Sequence, residues 1–170
     1  MIVALKPSQI EWQGETWLRG ESIADLDEYL RQKIACPEPD DRYVHPVCSQ
    51  CGGDVFSLEG TDDAMMRICP TCIVSDEPAT CEAAIHYICD SEDSWDEDDA
   101  EDYACPCRKS STFRLSVLFN HVSVDDGTGR LSRFVKWITI GGMCSRCGVV
   151  GLYAQWKVSY APTAHLYELA

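Results

Sequence analysis

The side chains best suited to chemistry in this chain are its cysteines. Eleven occur in 170 residues, at Cys36, Cys48, Cys51, Cys69, Cys72, Cys81, Cys89, Cys105, Cys107, Cys144 and Cys147. Eight of them form four tight pairs: Cys48-Ser-Gln-Cys51, Cys69-Pro-Thr-Cys72, Cys105-Pro-Cys107 and Cys144-Ser-Arg-Cys147. Each pair sets two sulfur donors on one short turn. Two such turns brought together give four thiolates around a tetrahedral centre, the donor set of structural zinc. An odd total in close pairs does not suit the disulfide framework of a secreted protein. The expectation is two structural Zn2+ ions, one on Cys48, Cys51, Cys69 and Cys72, the other on Cys105, Cys107, Cys144 and Cys147. Four thiolates leave no open coordination position, so such an ion cannot activate water.

Other groups offer less. Cys69 and Cys72 could form a redox dithiol, but that motif needs a helix N-terminus after a strand, and a second pair lies upstream at hairpin distance. Cys81 and Cys89 flank His86 and hint at a third site, although a buried free thiol is the commoner state. His45, His86, His121 and His165 are scattered without ligand spacing. No serine–histidine–acid set, glycine-rich phosphate loop or facing carboxylate pair emerges, so no enzyme is expected. Asp62-Asp63 and Asp125-Asp126 stand at expected hairpin tips. Some transcript-cleavage ribbons carry an acidic pair there, but Asp and Gly are also the ordinary residues of turns.

The elements that must position the cysteines follow from periodicity. Ser22 introduces a helix, with Asp25 at capping-box distance and Ile23, Leu26, Leu30 and Ile34 along one face, ended by Pro37 and Pro39. Short strands are expected at Ile2 to Leu5 and Glu11 to Leu18, with Trp12 and Trp17 as core residues. Asp54 to Leu58 and Ala64 to Ile68 form a hairpin joining the first two knuckles. This 25-residue stretch resembles a zinc ribbon. Phe113 to Val124 and Arg133 to Ile140 form a longer hairpin joining the last two. Val150, Leu152, Ala154, Trp156, Val158 and Tyr160 then alternate with Gly151, Tyr153, Gln155, Lys157 and Ser159, the period of a half-buried strand. The fold class is mainly β with one N-terminal helix (α+β), in two zinc-ribbon-like lobes, the second enlarged into a small antiparallel sheet. The segments are 1–40 (strand and helix), 41–80 (first ribbon), 81–104 (strand plus acidic loop) and 105–170 (second ribbon with extended sheet).

Charge divides the chain unevenly. There are 14 basic and 28 acidic residues, a net of -14. Residues 76–102 hold 12 of the acidic side chains and none of the basic ones, whereas residues 103–170 hold 8 basic and 3 acidic. That balance argues against nucleic acid as the main partner, because phosphate backbones are bound by clustered Lys and Arg. No apolar run approaches the roughly 18–20 residues needed to span a bilayer. The short run from Met1 to Leu5 precedes its Lys, unlike a signal peptide, so a cytosolic location without membrane contact is expected. The acidic run reads as a linker or exposed loop, but it contains Trp95 and ends at Tyr103, aromatic anchors of the kind interfaces favour.

These features suit a cytosolic, zinc-stabilised, acidic inhibitor that binds a basic protein. The sharpest form is an immunity protein occluding the active site of a nucleic-acid-acting bacterial toxin. Its expected contact residues are Asp90, Glu92, Asp93, Trp95, Asp96, Glu97, Asp98 and Asp99. Cys105-Pro-Cys107, the run from Trp137 to Gly148 and the run from Tyr153 to Tyr160 resemble uncharacterised bacterial zinc-ribbon proteins over about the last 60 residues. Arg108 stands where ribbons often place Gly. The alternative is a transcription- or RNA-associated ribbon using Arg108, Lys109, Arg114, Arg130, Arg133, Lys136 and Arg146.

Overall fold

The computed structural model describes residues 8–12, 15–34, 37–61, 64–73, 85–89, 98–125 and 127–158. Helix α1 spans Ile23–Lys33, and Ser22 precedes it in an extended conformation. Asp25 fixes its start: one carboxylate oxygen accepts the Glu21 and Ser22 N–H groups, each at 2.8 Å, and the Ser22 hydroxyl at 3.0 Å. The Ser22 N–H is one of the backbone donors that a helix start leaves without an intrahelical partner. Leu26 and Leu30 are fully buried, with Ile23 and Ile34 packed beside them, as the spacing requires.

Ahead of the helix, β1 (Ser8–Trp12) and β2 (Glu15–Arg19) pair antiparallel, with Trp12 opposite Glu15. The expected single strand from Glu11 to Leu18 is therefore corrected to a hairpin. Gly14, a turn former inside the run, is the sequence signal for it. The strand expected at Ile2 to Leu5 lies outside the described residues.

The remaining strands form one antiparallel sheet. They are β3 (Arg42–Val44), β4 (Phe56–Gly60), β5 (Ala64–Ile68), β6 (Ile85–Cys89), β7 (Glu101–Asp102), β8 (Thr112–Asp125), β9 (Leu131–Cys144) and β10 (Val150–Lys157). The order is β10-β9-β8-β4-β5-β6, with β3 also on β8 and β7 on β4. Pairing of Phe56 with Phe113 and Ser57 with Thr112 makes the sheet continuous across both cysteine hairpins. Among the described residues the protein is thus mainly β with one α-helix, and none of its helices is long and apolar enough to cross a membrane.

Alternation along β8 builds two cores. Phe113, Leu115, Val117 and Phe119 join Ile138, Ile140 and Trp156 on one face; Leu118 joins Met143, Val150 and the helix on the other. Two register shifts adjust this pattern, one opposite Asn120/His121 and one between Leu152 and Ala154. An extra residue in a strand reverses which side chains face inward. Hence Val150 packs under the helix, Ala154, Trp156 and Val158 enter the opposite core, and Leu152 is 38% exposed. The expected unbroken alternation from Val150 to Tyr160 is corrected at that bulge, and Tyr160 itself lies outside the described residues.

Strand β9 also runs past Ile140 to Cys144. Gly141 and Gly142 continue the strand because each clears space for a neighbour. A Cβ on Gly141 would stand 2.7 Å from Leu30, and one on Gly142 would stand 2.8 Å from the Tyr153 ring.

Candidate metal centres

The cysteines of the first group sit on the turns at either end of one hairpin. Cys48 and Cys51 precede β4, and Cys69 and Cys72 follow β5. In the second group, Cys105 and Cys107 precede β8, while Cys144 ends β9 and Cys147 follows it. Within each group the four sulfurs lie within 4.8 Å of one another. Cys48 and Cys72 are 3.7 Å apart, Cys51 and Cys69 3.6 Å, and Cys105 and Cys147 3.5 Å. Sulfurs bound at about 2.3 Å around a tetrahedral ion would stand about 3.8 Å apart. Both groups therefore fit one metal ion each.

The turns explain why these residues converge. Cys48 N–H donates to Gly53 C=O and Gly52 N–H to Cys48 C=O, each at 2.8 Å. Cys144 N–H donates to Val149 C=O at 2.8 Å and Gly148 N–H to Cys144 C=O at 2.9 Å, the same closure. Gly52 and Gly148 take φ of 70° and 73°, the left-handed region that glycine enters without a Cβ clash. The Cys105 turn is shorter by one residue between its cysteines but still closes from Cys105 N–H to Ser110 C=O, at 3.0 Å. Here Arg108 holds φ 54°, alone among described non-glycine residues in that region.

Backbone dipoles tune the sulfurs. Gly53 N–H points to the Cys51 sulfur, Cys107 N–H to that of Cys105 and Lys109 N–H to that of Cys107, each at 3.4 Å. Burial pushes the Cys48 thiol up, but the N–H groups of Cys51 and Gln50 and the adjoining thiols draw it down to about 7. Cys144 behaves alike: burial opposes, the N–H groups of Cys147 and Arg146 prevail, and its thiol falls to about 7. Its neighbour Cys105 is pushed up, chiefly by burial, and Cys72 rises to about 12 through its bond with Cys51. Cys48 in one group and Cys144 in the other therefore lose their protons most readily of the shifted thiols, and the charge of a bound cation would favour further loss.

Sequence reading placed Tyr153 on the outer face of its strand. The bulge turns it inward, 4.7 Å from the Phe113 ring and 5.6 Å from Tyr103 between centroids. Burial, then the charge that the nearby Cys105 and Cys144 sulfurs carry once ionised, push its hydroxyl up, so it stays protonated. Gly142 and Gly151, which both lie against its ring, are the sequence signal, since small residues in a strand mark the close approach of something large.

The other candidates separate. Asp125 accepts the N–H groups of Gly127 and Gly129, at 2.9 and 3.3 Å, which is a turn-forming role. Asp62, Asp63 and Asp126 lie outside the described residues, as do Cys36, Cys81 and His165; of His86 and Cys89 only the strand backbone is described. His45 meets Asp27 at 3.0 Å, and Asp27 also accepts the fully buried Ser116 hydroxyl at 2.5 Å, so this trio ties the helix to β8. Asp90, Glu92, Asp93, Trp95, Asp96 and Glu97 lie outside the described residues. Asp98 and Asp99 are exposed just before β7, whose Asp102 pairs with Glu59. Tyr103 N–H donates to Leu58 C=O at 3.0 Å and completes the join. No family model, curated protein or solved structure matches the chain.

Proposed function

We propose that each four-cysteine group holds a Zn2+ ion as scaffolding, and that the domain so built is an acidic protein-binding inhibitor of the immunity type. Its partner is a basic, nucleic-acid-acting toxin domain whose active site the acidic segment covers. The observation that carries this reading is the anchoring of that segment. Its last residues, Glu101 and Asp102, are a strand of the sheet, and the exposed Asp98 and Asp99 lead directly into them. Charges held on a sheet edge keep a fixed field toward a partner, which raises association rate and selects its sign. Bound zinc would supply no reaction step. It would hold the turns at Cys48 and Cys105, between which β4, β7 and the acidic residues are suspended.

The alternative, a transcription- or RNA-associated ribbon, relies on the basic side chains of the second half. Two of these are already engaged, Arg114 with Asp54 at 3.1 Å and Arg133 with Asp40 at 2.8 Å. Those pairings weaken the positive strip that a phosphate backbone would need.

Two measurements test the proposal. Elemental analysis of protein purified without added metal should give about two zinc equivalents, and less than one would overturn the metal assignment. The recombinant product of the gene immediately upstream should bind the chain and lose its activity on nucleic acid. Tight binding of the chain to nucleic acid instead, with no inhibition, would favour the ribbon alternative.

A further inference from the structure

A cleft of about 360 Å3 lies where the helix, the first hairpin and the second metal group meet. Trp17 comes from β2, Tyr29 and Lys33 from α1, Leu152 and Tyr153 from the bulge of β10, and Pro106 from between the ligands Cys105 and Cys107. Its volume is at the low end of the roughly 300–1,000 Å3 of ligand clefts, the size for one inserted side chain rather than a large cofactor. The floor is aromatic, and Leu152 contributes one of the few large apolar side chains the described surface exposes. Ala104 forms a further wall, only two residues beyond Asp102, so the cleft opens beside the acidic strand.

Charge decides what fits. Lys33 holds its ammonium 5.2 Å above the Tyr29 ring, so the aromatic floor is already matched with a cation and repels another. The Lys33 ammonium would attract an anionic side chain, but the exposed Glu101 and Asp102, two to three residues along the chain from the Ala104 wall, oppose one. What remains is an uncharged side chain, and the lining rings of Trp17, Tyr29 and Tyr153 favour an aromatic one. We propose that this cleft is the anchor pocket for a basic protein partner, taking one aromatic side chain while Lys or Arg residues flanking it meet the acidic strand. This rests on the inhibitor reading above and deepens it. Buried aromatic anchors surrounded by charge are how interfaces concentrate their binding energy. Pro106 makes the pocket depend on metal, because ligands on both sides of it set that wall.

The experiment uses the full zinc-loaded chain and two probes, acetyl-Lys-Phe-Lys-amide and acetyl-Lys-Ala-Lys-amide, followed by amide and indole nuclear magnetic resonance shifts. The phenylalanine peptide should shift the Trp17 indole and the amides of Ala104, Gly151 and Leu152; the alanine peptide should not. Leu152→Ser, at a position 38% exposed, should weaken the phenylalanine peptide at least tenfold. If both peptides shift only Glu101 and Asp102, to equal extents, the anchor pocket is overturned while the acidic-edge reading stands. If neither shifts anything, the pocket and the edge both fail.

Discussion

At Arg108 a long side chain holds the left-handed backbone that Gly52 and Gly148 take in the equivalent turns. For an L-residue that conformation costs about 1–2 kcal/mol, part of which glycine returns through its freer unfolded state. Arg108→Gly should therefore stabilise the protein by about 0.5–1 kcal/mol in chemical denaturation. A lower midpoint would mean that the arginine side chain compensates the strain. Asp27 is the opposite case. Removing its carboxylate in Asp27→Ala leaves the buried Ser116 hydroxyl without its acceptor, at a cost of about 1–3 kcal/mol. The double variant with Ser116→Ala should recover part of that loss, and no recovery would show that the two do not couple. Asp25 carries a pH signature. Backbone N–H groups of Glu21 and Ser22 hold its carboxyl below its ordinary value of 3.8. A depressed carboxylate stabilises the fold above the unfolded pKa and loses that contribution as pH falls through the folded one. Asp25→Asn should flatten stability against pH below about 4, and an unchanged acid slope would place it elsewhere.

Among the elements, those with strict periodicity were legible and those shaped by close approach were not. The α1 face is readable because Leu26 and Leu30 recur at helical spacing, and β5 because Ala64 to Ile68 is a short, mostly apolar run ahead of the Cys69 turn. Strand β4 begins at Phe56, two residues beyond the expected Asp54, because the closure of the Cys48 turn onto Gly53 delays it. The two cysteine groups were legible from spacing alone, while the cleft was not, since its walls come from four distant segments and one bulge. Gly141-Gly142 reads as a strand end, yet both residues are paired within β9. Their role gives a prediction at this scale. Leu30 is fully buried and must shift to admit a new methyl group, so Gly141→Ala should cost about 1–3 kcal/mol and loosen the helix. Hydrogen exchange should rise in 23–33 before it rises in β8, and uniform protection would refute the link.

At the scale of the molecule, two ribbons in sequence are one body in structure. Cys48, Cys69, Cys105, Cys107 and Cys144 belong to a single apolar cluster with Phe56 and Phe113, the residues that pair across β4 and β8. The two cysteine groups thus share a core and a sheet, so a metal bound in either would stabilise the same packed residues. A structural metal of this type contributes on the order of 10 kcal/mol, comparable with the roughly 5–15 kcal/mol of a whole domain. Losing one group should consequently remove the stability on which the other depends. Cys69→Ser, or titration with a strong chelator, should produce one cooperative transition in which bound metal falls from two equivalents toward none and the near-ultraviolet signals of Trp17 and Trp156 vanish together. Independent lobes would behave differently. They would give two transitions, and Cys69→Ser protein would retain one full equivalent with β8, β9 and β10 intact, an outcome that would show the Phe56–Phe113 pairing to be too weak to couple the halves.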